Sequence, residues 1–279
     1  MSYDENELKQ LQNIQLSMLN KIKEFCNENK IEFFLIGGTA LGARRHEGFI
    51  PWDDDIDIGM RRQDYDKFVN LSHKLNDEEI FVQTPNSDAN SPFAYTKVRK
   101  NNSIFLEYCN KNSKMHSGIY VDVFPFDFTS ENQKKRKKHF TKSQFFLKLY
   151  IYRMVSDITQ KPDSVKLFMK QFLRKLIHLC MKLVKPNYIL KKLENEMTKY
   201  NSSHDEYLMC LFFPEYMIEF IDVKDLYPLK LRKFENNYYY TPNKIEKYLE
   251  THYGDFMKLP DIKDRVGHEP YRFKLEEKK

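Results

Sequence analysis

Apolar residues near the start of the chain recur every three or four positions, which is the spacing of a helix with one buried face. This pattern predicts a helix that ends near Asn29. A short run over 31–36 is rich in aromatic and β-branched residues and predicts a buried strand. Two glycines follow this run, and the residues from 39 to 46 then suit a short helix.

Short alternating segments dominate the next part of the chain. Asp55 and Asp57 alternate with isoleucines, which predicts a strand that presents both carboxylates on one face. The residues from 63 to 75 return to helical spacing. Further strands are predicted at 79–83, 93–98, 104–108 and 119–124. The first 128 residues therefore combine helix and sheet.

The pattern changes twice more toward the end of the chain. Between 130 and 200 the strand patterns disappear, and long helical patterns with many lysines predict a helical subdomain. A strand or hairpin arm is predicted at 234–240, followed by a helix from Pro242 to His252 and an irregular polar tail after Pro260. We predict an α+β fold, in which a mixed sheet with flanking helices carries an inserted basic helical subdomain.

The composition favours a folded protein and divides the chain by charge. Of the 279 residues, 41% are apolar, which allows a sizeable core and excludes a disordered chain. The formal net charge of +6 conceals a basic middle. Residues 131–192 contain 17 Lys and Arg against 3 Asp and Glu, whereas the rest of the chain contains 29 against 37.

Several classes of protein are not indicated. The four cysteines lie far apart and form no metal-binding pair, so the sequence does not suggest a zinc site. No run approaches the roughly 18 apolar residues of a membrane span, and the first residues lack a basic-then-apolar signal pattern. We therefore expect a cytoplasmic protein with reduced thiols.

The glycines point to one site. Five of the eight glycines lie between residues 37 and 59, together with the only tryptophan, Trp52. Gly37 and Gly38 stand between a predicted strand and a predicted helix, where backbone N–H groups and the helix dipole favour an anion. Paired carboxylates follow them, and hard divalent cations prefer such oxygen ligands. The segment therefore predicts metal-dependent phosphate chemistry.

Simpler explanations exist for each half of this segment. A double glycine alone is more often a tight turn, and an exposed run of aspartates is usually solvated surface. Asp53, Asp55 and Asp57 have the spacing of a calcium loop, but Ile58 stands where that loop requires glycine and Asp64 where it requires glutamate. Because apolar residues flank the carboxylates, burial with a cation is the better interpretation.

The stretch from Gly37 to Met60 resembles the signature of the LicD family, which includes the fukutin-related proteins and is similar in its core to the nucleotidyltransferase fold. Family members carry a pattern close to G-G-T-x-L-G-A-x-R-H-x-G-F-I-P-W-D-D-D-I-D-I-G-M, and this chain matches every fixed position. Further matches are R-x-D-Y at 62–65, G-x-x-x-D-I-F-P at 118–125 with valine for isoleucine, and Y-G-D at 253–255.

The resemblance implies a domain plan. It covers residues 30–128 well, the end of the chain moderately and the basic middle hardly at all. The implied parts are a nucleotidyltransferase-like catalytic core at 1–128, a basic helical subdomain at 129–205 and a C-terminal segment at 206–279 that packs back on the core.

The resemblance also implies a catalytic metal site for Mg²⁺ or Mn²⁺. Asp55, Asp57 and Asp122 are the implied ligands, and Asp53 is a fourth catalytic carboxylate nearby. The pattern around Asp122 agrees, since it alternates with valines on a predicted buried strand, where an unpaired carboxylate would be costly.

Eight residues are candidates for binding the substrate. They are Gly37, Gly38, Thr39, Arg45, His46, Trp52, Lys97 and Arg99. The first three are implied to hold the donor phosphate. Arg45 and His46 match the family's Arg-His pair, with a surface salt bridge as the alternative. Trp52 either stacks on substrate or packs against the acidic cluster, and Lys97 and Arg99 either contact phosphate or form a solvated face.

LicD-type proteins move a phosphorylated alcohol such as phosphocholine from a CDP-linked donor to a hydroxyl of a surface glycan. The resemblance implies that an acceptor oxygen attacks the distal phosphorus, that CMP leaves, and that Asp122 or Asp53 accepts the proton. The implied partners are a CDP-alcohol and a glycan or lipid-linked glycan, such as a teichoic acid or lipopolysaccharide precursor.

Two other functions remain open. A nucleotidyltransferase acting on a small molecule would release pyrophosphate instead of CMP. A non-catalytic module could bind polyanions through its basic surface. The identity of the alcohol, whether choline, ribitol, glycerol or a sugar, also stays open, although the many aromatic residues would suit the cation–π contacts of choline.

The basic middle allows two interpretations. Over 167–184 a broad apolar surface lies opposite basic residues spaced four apart, as in helices that lie on anionic membranes. Residues 131–192 would then contact the inner face of the membrane peripherally. Alternatively, the helix packs its apolar face on the catalytic core and leaves its lysines in solvent, which is the more general arrangement. Nucleic acid is not expected as a partner, because no nucleic-acid-binding motif accompanies the charge.

Overall fold

The computed structural model describes residues 3–159, 161–203 and 206–275. Its α-helices are α1 (Glu5–Glu28), α2 (Gly37–Arg45), α3 (Arg62–Leu71), α4 (Gln133–Met154), α5 (Val165–Met181), α6 (Pro186–Met197), α7 (Val223–Leu226) and α8 (Ile245–Tyr253). Its strands are β1 (Phe34–Leu35), β2 (Asp57–Arg61), β3 (Ile80–Gln83), β4 (Thr96–Lys100), β5 (Ile104–Leu106), β6 (Tyr120–Thr129), β7 (Tyr207–Met209), β8 (Phe220–Asp222), β9 (Lys230–Phe234), β10 (Asn237–Thr241) and β11 (Arg272–Lys274).

A mixed seven-stranded sheet forms the centre of the fold. Its main path is β1-β2-β6-β4-β3, and β7 and β8 extend it from the far end of β6. The β2–β6 pair is parallel and the other pairs are antiparallel. Two small antiparallel pairs, β9 with β10 and β5 with β11, lie outside this sheet. The fold is α+β with a nucleotidyltransferase-like mixed sheet, which confirms the predicted class.

Burial explains why β6 is the central strand. Nine of its ten residues are buried, because the strand has neighbours on both edges and helices over its faces. Helix α1 packs on this core through the residues that recur at helical spacing, and it begins with a capping box between Asp4 and Glu7. A second apolar cluster joins α4, α6 and β7.

The helical middle of the chain agrees with the sequence pattern. Three helices, α4, α5 and α6, occupy 133–197, and the described residues there contain no strand. Strand β6 reaches Thr129, and β7 returns at Tyr207 to pair with it. No helix in the described ranges is long and apolar enough to cross a membrane.

Several predicted boundaries were wrong: β1 is limited to Phe34–Leu35 and β4 begins at Thr96. Three others have clear physical reasons. Helix α2 begins at Gly37 rather than at residue 39, because Gly37 has a φ of +52° and turns the chain directly out of β1. Helix α8 begins at Ile245 rather than Pro242, since backbone hydrogen bonds hold residues 243–244 in a turn against α7. The tail after Pro260 is not wholly irregular, because β11 pairs with β5.

Candidate active site

The sheet register brings three charged side chains together. Asp57 on β2 lies opposite Asp122 on β6, and Lys97 on β4 lies opposite Asp122 from the other side. Directly opposed residues point to the same face of a sheet. The parallel pairing of β2 and β6 therefore brings Asp57 and Asp122 together although they are far apart in sequence.

Lys97 forms a buried ion pair with Asp122. Its Nζ lies 2.7 and 2.8 Å from the two carboxylate oxygens, and the side chains are 2% and 8% exposed. The rings of Phe93 and Tyr120 cover the ammonium at 4.5 and 3.5 Å from their centroids. Burial lowers the pKa of Lys97 and raises that of Asp122, although each opposes the other's shift. The solvated-face alternative is therefore wrong for Lys97.

Arg99 is also buried, but it forms hydrogen bonds with other parts of the protein and not with the site carboxylates. It donates to Gln83 Oε1 and to the carbonyl of Gly118, both at 2.8 Å. Its solvated-face alternative is wrong as well, since only 1% of the residue is exposed. A substrate contact for Lys97 or Arg99 stays a prediction, and these bonds give Arg99 a positioning function at the start of β6.

His116 lies in the same region as Arg99, and its pKa can be used to test the hydrogen bonds described there. Its Nδ1 accepts from the N–H of Gly118 at 3.2 Å, so its proton is assigned to Nε2, which lies 2.9 Å from Asn101 Oδ1. Burial and then Arg99 lower the pKa of His116 to about 4. Protonation would remove the acceptor that Gly118 uses.

We expect His116 to make the protein less stable in acid. Because its folded pKa lies below its ordinary value of 6.5, the unfolded chain binds more protons between about pH 6.5 and 4, and stability is lost as pH falls through that window. In urea unfolding, His116→Gln should be less stable than wild type at pH 7 and should lose less stability between pH 7 and 4.5. An equal loss in both proteins would contradict this assignment.

The acidic loop before β2, which contains residues 53–55, is held in place by helix α1 and by residues near both ends of the chain. The backbone carbonyls of Asp53 and Asp54 accept from the side-chain amides of Gln12 and Gln15 at 2.9 and 2.7 Å. The Asp54 carboxylate accepts from the hydroxyl of Tyr3 and is only 1% exposed. The sequence predicted Asp55 within the strand, but β2 begins at Asp57 and Asp55 lies in this anchored loop.

The remaining carboxylates raise one another's pKa. Burial, followed by the charge of Asp55, raises the pKa of both Asp53 and Asp57. Burial raises that of Asp55 to about 6 even though His268 opposes the shift. Asp122 adds to the repulsion at Asp55 and Asp57. Such a cluster is stabilised by a cation, and its all-oxygen donor set fits Mg²⁺ or Mn²⁺.

His268 is a site residue that the sequence did not indicate. Its Nδ1 lies 2.8 Å from Asp54 Oδ1 and 3.7 Å from Asp55 Oδ2. Ligand atoms of Asp54, Asp55 and His268 lie within 4.8 Å of one another, so these three residues form a possible cation position. Within the described ranges, the ligand atoms of Asp55, Asp57 and Asp122 do not all approach one another that closely. The hydrogen bond to Asp54 raises the pKa of His268 to about 9, so at neutral pH the imidazolium supplies positive charge itself.

The two glycines allow the chain to approach the carboxylates closely. A Cβ at Gly38 would lie 2.9 Å from Asp53 Oδ2, a distance that real Cβ atoms essentially never show. The N–H of Gly37 donates to Tyr248 Oη at 2.9 Å, and Thr39 Oγ1 accepts from the N–H of Asp57 at 2.9 Å. The predicted phosphate contacts of this turn stay a prediction, and Thr39 also orders Asp57.

The C-terminal helix adds polar groups that sequence reasoning missed. Glu219 is 1% exposed and lies 3.0 Å from His252 Nε2, and it accepts from Tyr248 Oη at 2.6 Å. A Cβ at Gly37 would lie 3.7 Å from Glu219 Oε1. The Y-G-D match was the only sequence signal in this region, and Tyr253 of that match lies beside the same glycine.

A cavity of about 600 Å³ opens beside Asp53 and Gly38. Arg45 and Trp52 line it, as do residues 255–256 and 258–261 after α8. Arg45 donates to the carbonyl of Phe256 at 2.6 Å, and among the described residues it has no carboxylate partner within 4 Å, so the salt-bridge alternative is wrong for it.

Trp52 lines this cavity, and His46 lies beside Trp52. Their rings are 6.5 Å apart edge to face, and Arg265 lies 5.0 Å from the Trp52 ring. Burial, and then Arg45, lower the pKa of His46. Trp52 is half-buried and packs against the core, so both of its predicted roles remain compatible with its position.

A second cavity, of about 590 Å³, lies between the sheet and helices α4 and α5. Phe93, Tyr95 and Phe212 line it, and Tyr95 Oη lies 3.4 Å from Asp122 Oδ2. Glu107 also lines it and accepts only weak hydrogen bonds from Cys109 and Asn110, with no cationic group within 4 Å among the described residues. The acidic cluster thus has a cavity on each side.

Comparison with known proteins agrees with the signature. Residues 30–159 match the family model described as LicD/FKTN/FKRP, nucleotidyltransferase domain. The chain is similar to the lipopolysaccharide cholinephosphotransferase LicD of Haemophilus influenzae, with 25% identity over 284 residues that cover 94% of this chain and 95% of that protein. It is also similar to the ribitol 5-phosphate transferase FKRP of human and mouse, with 28% identity over 100 residues.

The matches to FKRP are shorter, since they cover 34% of this chain and 17% of that protein. The family model spans the turn at Gly37, the acidic loop, β2 and Asp122, which are the elements that build the site. Residues 30–159 are therefore similar to the nucleotidyltransferase domain of the LicD/FKTN/FKRP family.

Proposed function

We propose that this protein transfers a phosphocholine-like phospho-alcohol from a CDP-linked donor to a hydroxyl of a cell-surface glycan precursor and releases CMP. The single observation that carries the proposal is the group of crowded carboxylates, Asp53, Asp55, Asp57 and Asp122, at the joint of two parallel strands. The match to the family model over residues 30–159 supports a phosphotransferase, and the similarity to the cholinephosphotransferase LicD extends over almost the whole chain.

Asp55, Asp57 and Asp122 are the proposed ligands of Mg²⁺ or Mn²⁺. Bound there, the metal would neutralise charge on the phosphates during transfer. The cavity with Arg45 and Trp52 is the proposed nucleotide side, because a guanidinium and an indole suit a phosphate and a base. The N–H of Gly38 and the hydroxyl of Thr39 are proposed to face the donor phosphate from the start of α2.

The proposed reaction is an in-line displacement. The acceptor oxygen forms a bond to the distal phosphorus, and the bond from that phosphorus to the bridging oxygen breaks, with its electron pair leaving on CMP. Asp53 is the proposed acceptor of the hydroxyl proton, since Asp122 is a proposed metal ligand and also pairs with Lys97. Burial and then the charge of Asp55 raise the pKa of Asp53, which makes its carboxylate a stronger base.

The aromatic cavity is the proposed site for the alcohol head group. Phe93, Tyr95 and Phe212 offer π-faces, and Glu107 adds a carboxylate, while Lys170 and Arg174 line the side of the cavity formed by α5. The aromatic faces with Glu107 suit a quaternary ammonium better than a neutral polyol. The observation supports choline over ribitol or glycerol as the alcohol.

Replacing Glu107 with Gln tests this preference. We expect the KM for CDP-choline to rise about 10-fold, because one charge contact with the ammonium is lost, while the KM for CDP-ribitol stays unchanged. Glu78→Gln is a matched control on an exposed glutamate away from the cavity. A parallel change with both donors would contradict the assignment.

Product identity tests the proposed reaction. The protein is incubated with Mg²⁺ or Mn²⁺, a panel of CDP-alcohols and glycan acceptors, and the CMP and pyrophosphate are quantified. The proposal predicts CMP in the presence of both donor and acceptor. Pyrophosphate formed from a nucleoside triphosphate would favour a nucleotidyltransferase, and neither product together with polyanion binding would favour a non-catalytic module.

The acceptor and location complete the proposal. A teichoic acid or lipopolysaccharide precursor on a lipid carrier would be reached from the cytoplasmic side of a membrane, where nucleotide donors are available. Peripheral membrane contact through residues 131–192 belongs to the same prediction, and their net charge suits an anionic surface. Fractionation of cells that express a fluorescent fusion would locate the protein. The proposal predicts fluorescence in the cytoplasmic fraction or peripherally on the membrane fraction.

A further inference from the structure

Helix α5 packs on the protein with its polar side. Gln171 is buried and accepts from the N–H of Ile158 at 3.0 Å. Arg174 donates to the carbonyls of Val155 and Ile151 at 3.0 and 3.1 Å. His178 Nδ1 lies 3.0 Å from the carbonyl of Tyr152. These contacts reverse the usual arrangement, in which the apolar face of an amphipathic helix is buried.

The apolar side of α5 consequently faces away from the protein. Eight large apolar residues on α5 and just after it are between 49% and 91% exposed, whereas Leu167, Ile177 and Met181 are partly buried. The eight exposed residues are Val165, Phe168, Met169, Phe172, Leu173, Leu176, Leu179 and Leu183. Their three- and four-residue spacing places them in one stripe along the whole helix. The packed-helix interpretation of the sequence pattern is therefore wrong for this face.

Lysines border the stripe on both sides. At 3.6 residues per turn, Lys166 and Lys170 fall along one edge of the stripe, and Lys175 and Lys182 fall along the other. All four are exposed. No Asp or Glu occurs between residues 164 and 193. The face therefore combines apolar residues with positive charge that has no negative partner on its own helix.

We propose that this apolar face of α5 lies in the interfacial region of an anionic membrane. An interfacial helix inserts its apolar stripe among the acyl chains, while flanking lysines contact acidic head groups. A second copy of the chain is a poorer occupant, because self-pairing would bring two sets of these lysines together without carboxylates to compensate them. The inference narrows the membrane contact proposed for residues 131–192 to one face of one helix, and it does not depend on the transfer reaction.

Vesicle flotation of the full-length chain tests the inference. The probe is a vesicle of phosphatidylcholine with 30% phosphatidylglycerol, compared with pure phosphatidylcholine. We expect at least 10-fold stronger partitioning to the anionic vesicle, reduced at least 10-fold by Phe168→Gln with Phe172→Gln, which adds no charge. Leu231→Gln with Tyr238→Gln is the matched control, since both residues are about half exposed on the β9–β10 hairpin.

The control should float as wild type does. Equal flotation of wild type and the α5 variant, or no preference for the anionic vesicle, would overturn the inference. So would a vesicle-free dimer in sedimentation velocity that the α5 variant dissociates, because that result assigns the face to a second copy. Folding is checked by circular dichroism, and CMP release with a water-soluble acceptor should be unchanged in the α5 variant, which separates this inference from the proposed reaction.

Discussion

Asp57→Asn is expected to lower the transfer rate about 10³-fold, because it removes a charged oxygen ligand at the centre of the proposed metal site. The same substitution should stabilise the metal-free protein by about 1 kcal/mol. Ionised Asp57 is unfavourable beside Asp55 and Asp122, as its raised pKa indicates, and asparagine keeps the shape without the charge. Opposite signs for activity and stability are typical of a functional site.

Two measurements check this prediction. CMP release gives the rate, and thermal unfolding with and without Mn²⁺ gives the stability. Wild type should gain stability on addition of Mn²⁺, whereas the variant should gain little. Asp163→Asn is the matched control, since Asp163 is exposed and remote from the site, and it should change neither quantity. An Asp57→Asn variant that is less stable without metal and equally active would contradict the proposed role.

Lys97→Met is expected to destabilise the protein by about 3–5 kcal/mol, because it leaves the Asp122 carboxylate buried without its cation. Methionine fills a similar volume between the aromatic rings, so packing changes little. Lys100→Met on the same strand is the matched control. Its partner Glu79 is 55% exposed at 3.6 Å, and we expect a loss below about 1 kcal/mol.

The double variant Lys97→Met with Asp122→Asn isolates the ion pair. It should recover most of the stability lost in Lys97→Met, because the uncompensated charge is gone, yet it should remain inactive, because a proposed metal ligand is missing. Urea unfolding of the four proteins gives the coupling energy. Additive losses would show that Lys97 and Asp122 do not stabilise one another.

Much of the acidic part of the site could be predicted from the sequence. The stretch from Gly37 to Met60 is contiguous, so its glycines and carboxylates could be placed together before any tertiary contact was known. Asp122 was also recognisable from its alternation with buried valines. The parallel pairing that sets Asp122 opposite Asp57 was not, because register depends on partners distant in the chain.

The rest of the site could not be predicted, because it is built by long-range contacts that leave no local pattern in the sequence. His268 and Glu219 are single polar residues in segments that carry no periodicity, and each acquires its role only through a neighbour far away in sequence. The orientation of α5 also could not be predicted from the sequence. Its amphipathic pattern is the same whether the apolar stripe faces the core or the surroundings, and the buried hydrogen bonds of Gln171 and Arg174 decide between them.

The central claim is that the acidic cluster holds a divalent cation. Electron paramagnetic resonance of Mn²⁺ tests it directly, because free Mn²⁺ gives a strong signal that is lost on binding. With wild type at neutral pH we predict loss of the free signal on titration, and with Asp55→Asn plus Asp57→Asn we predict that the signal remains. Equal loss with both proteins, or no loss with wild type even when CDP-choline is present, would contradict the account.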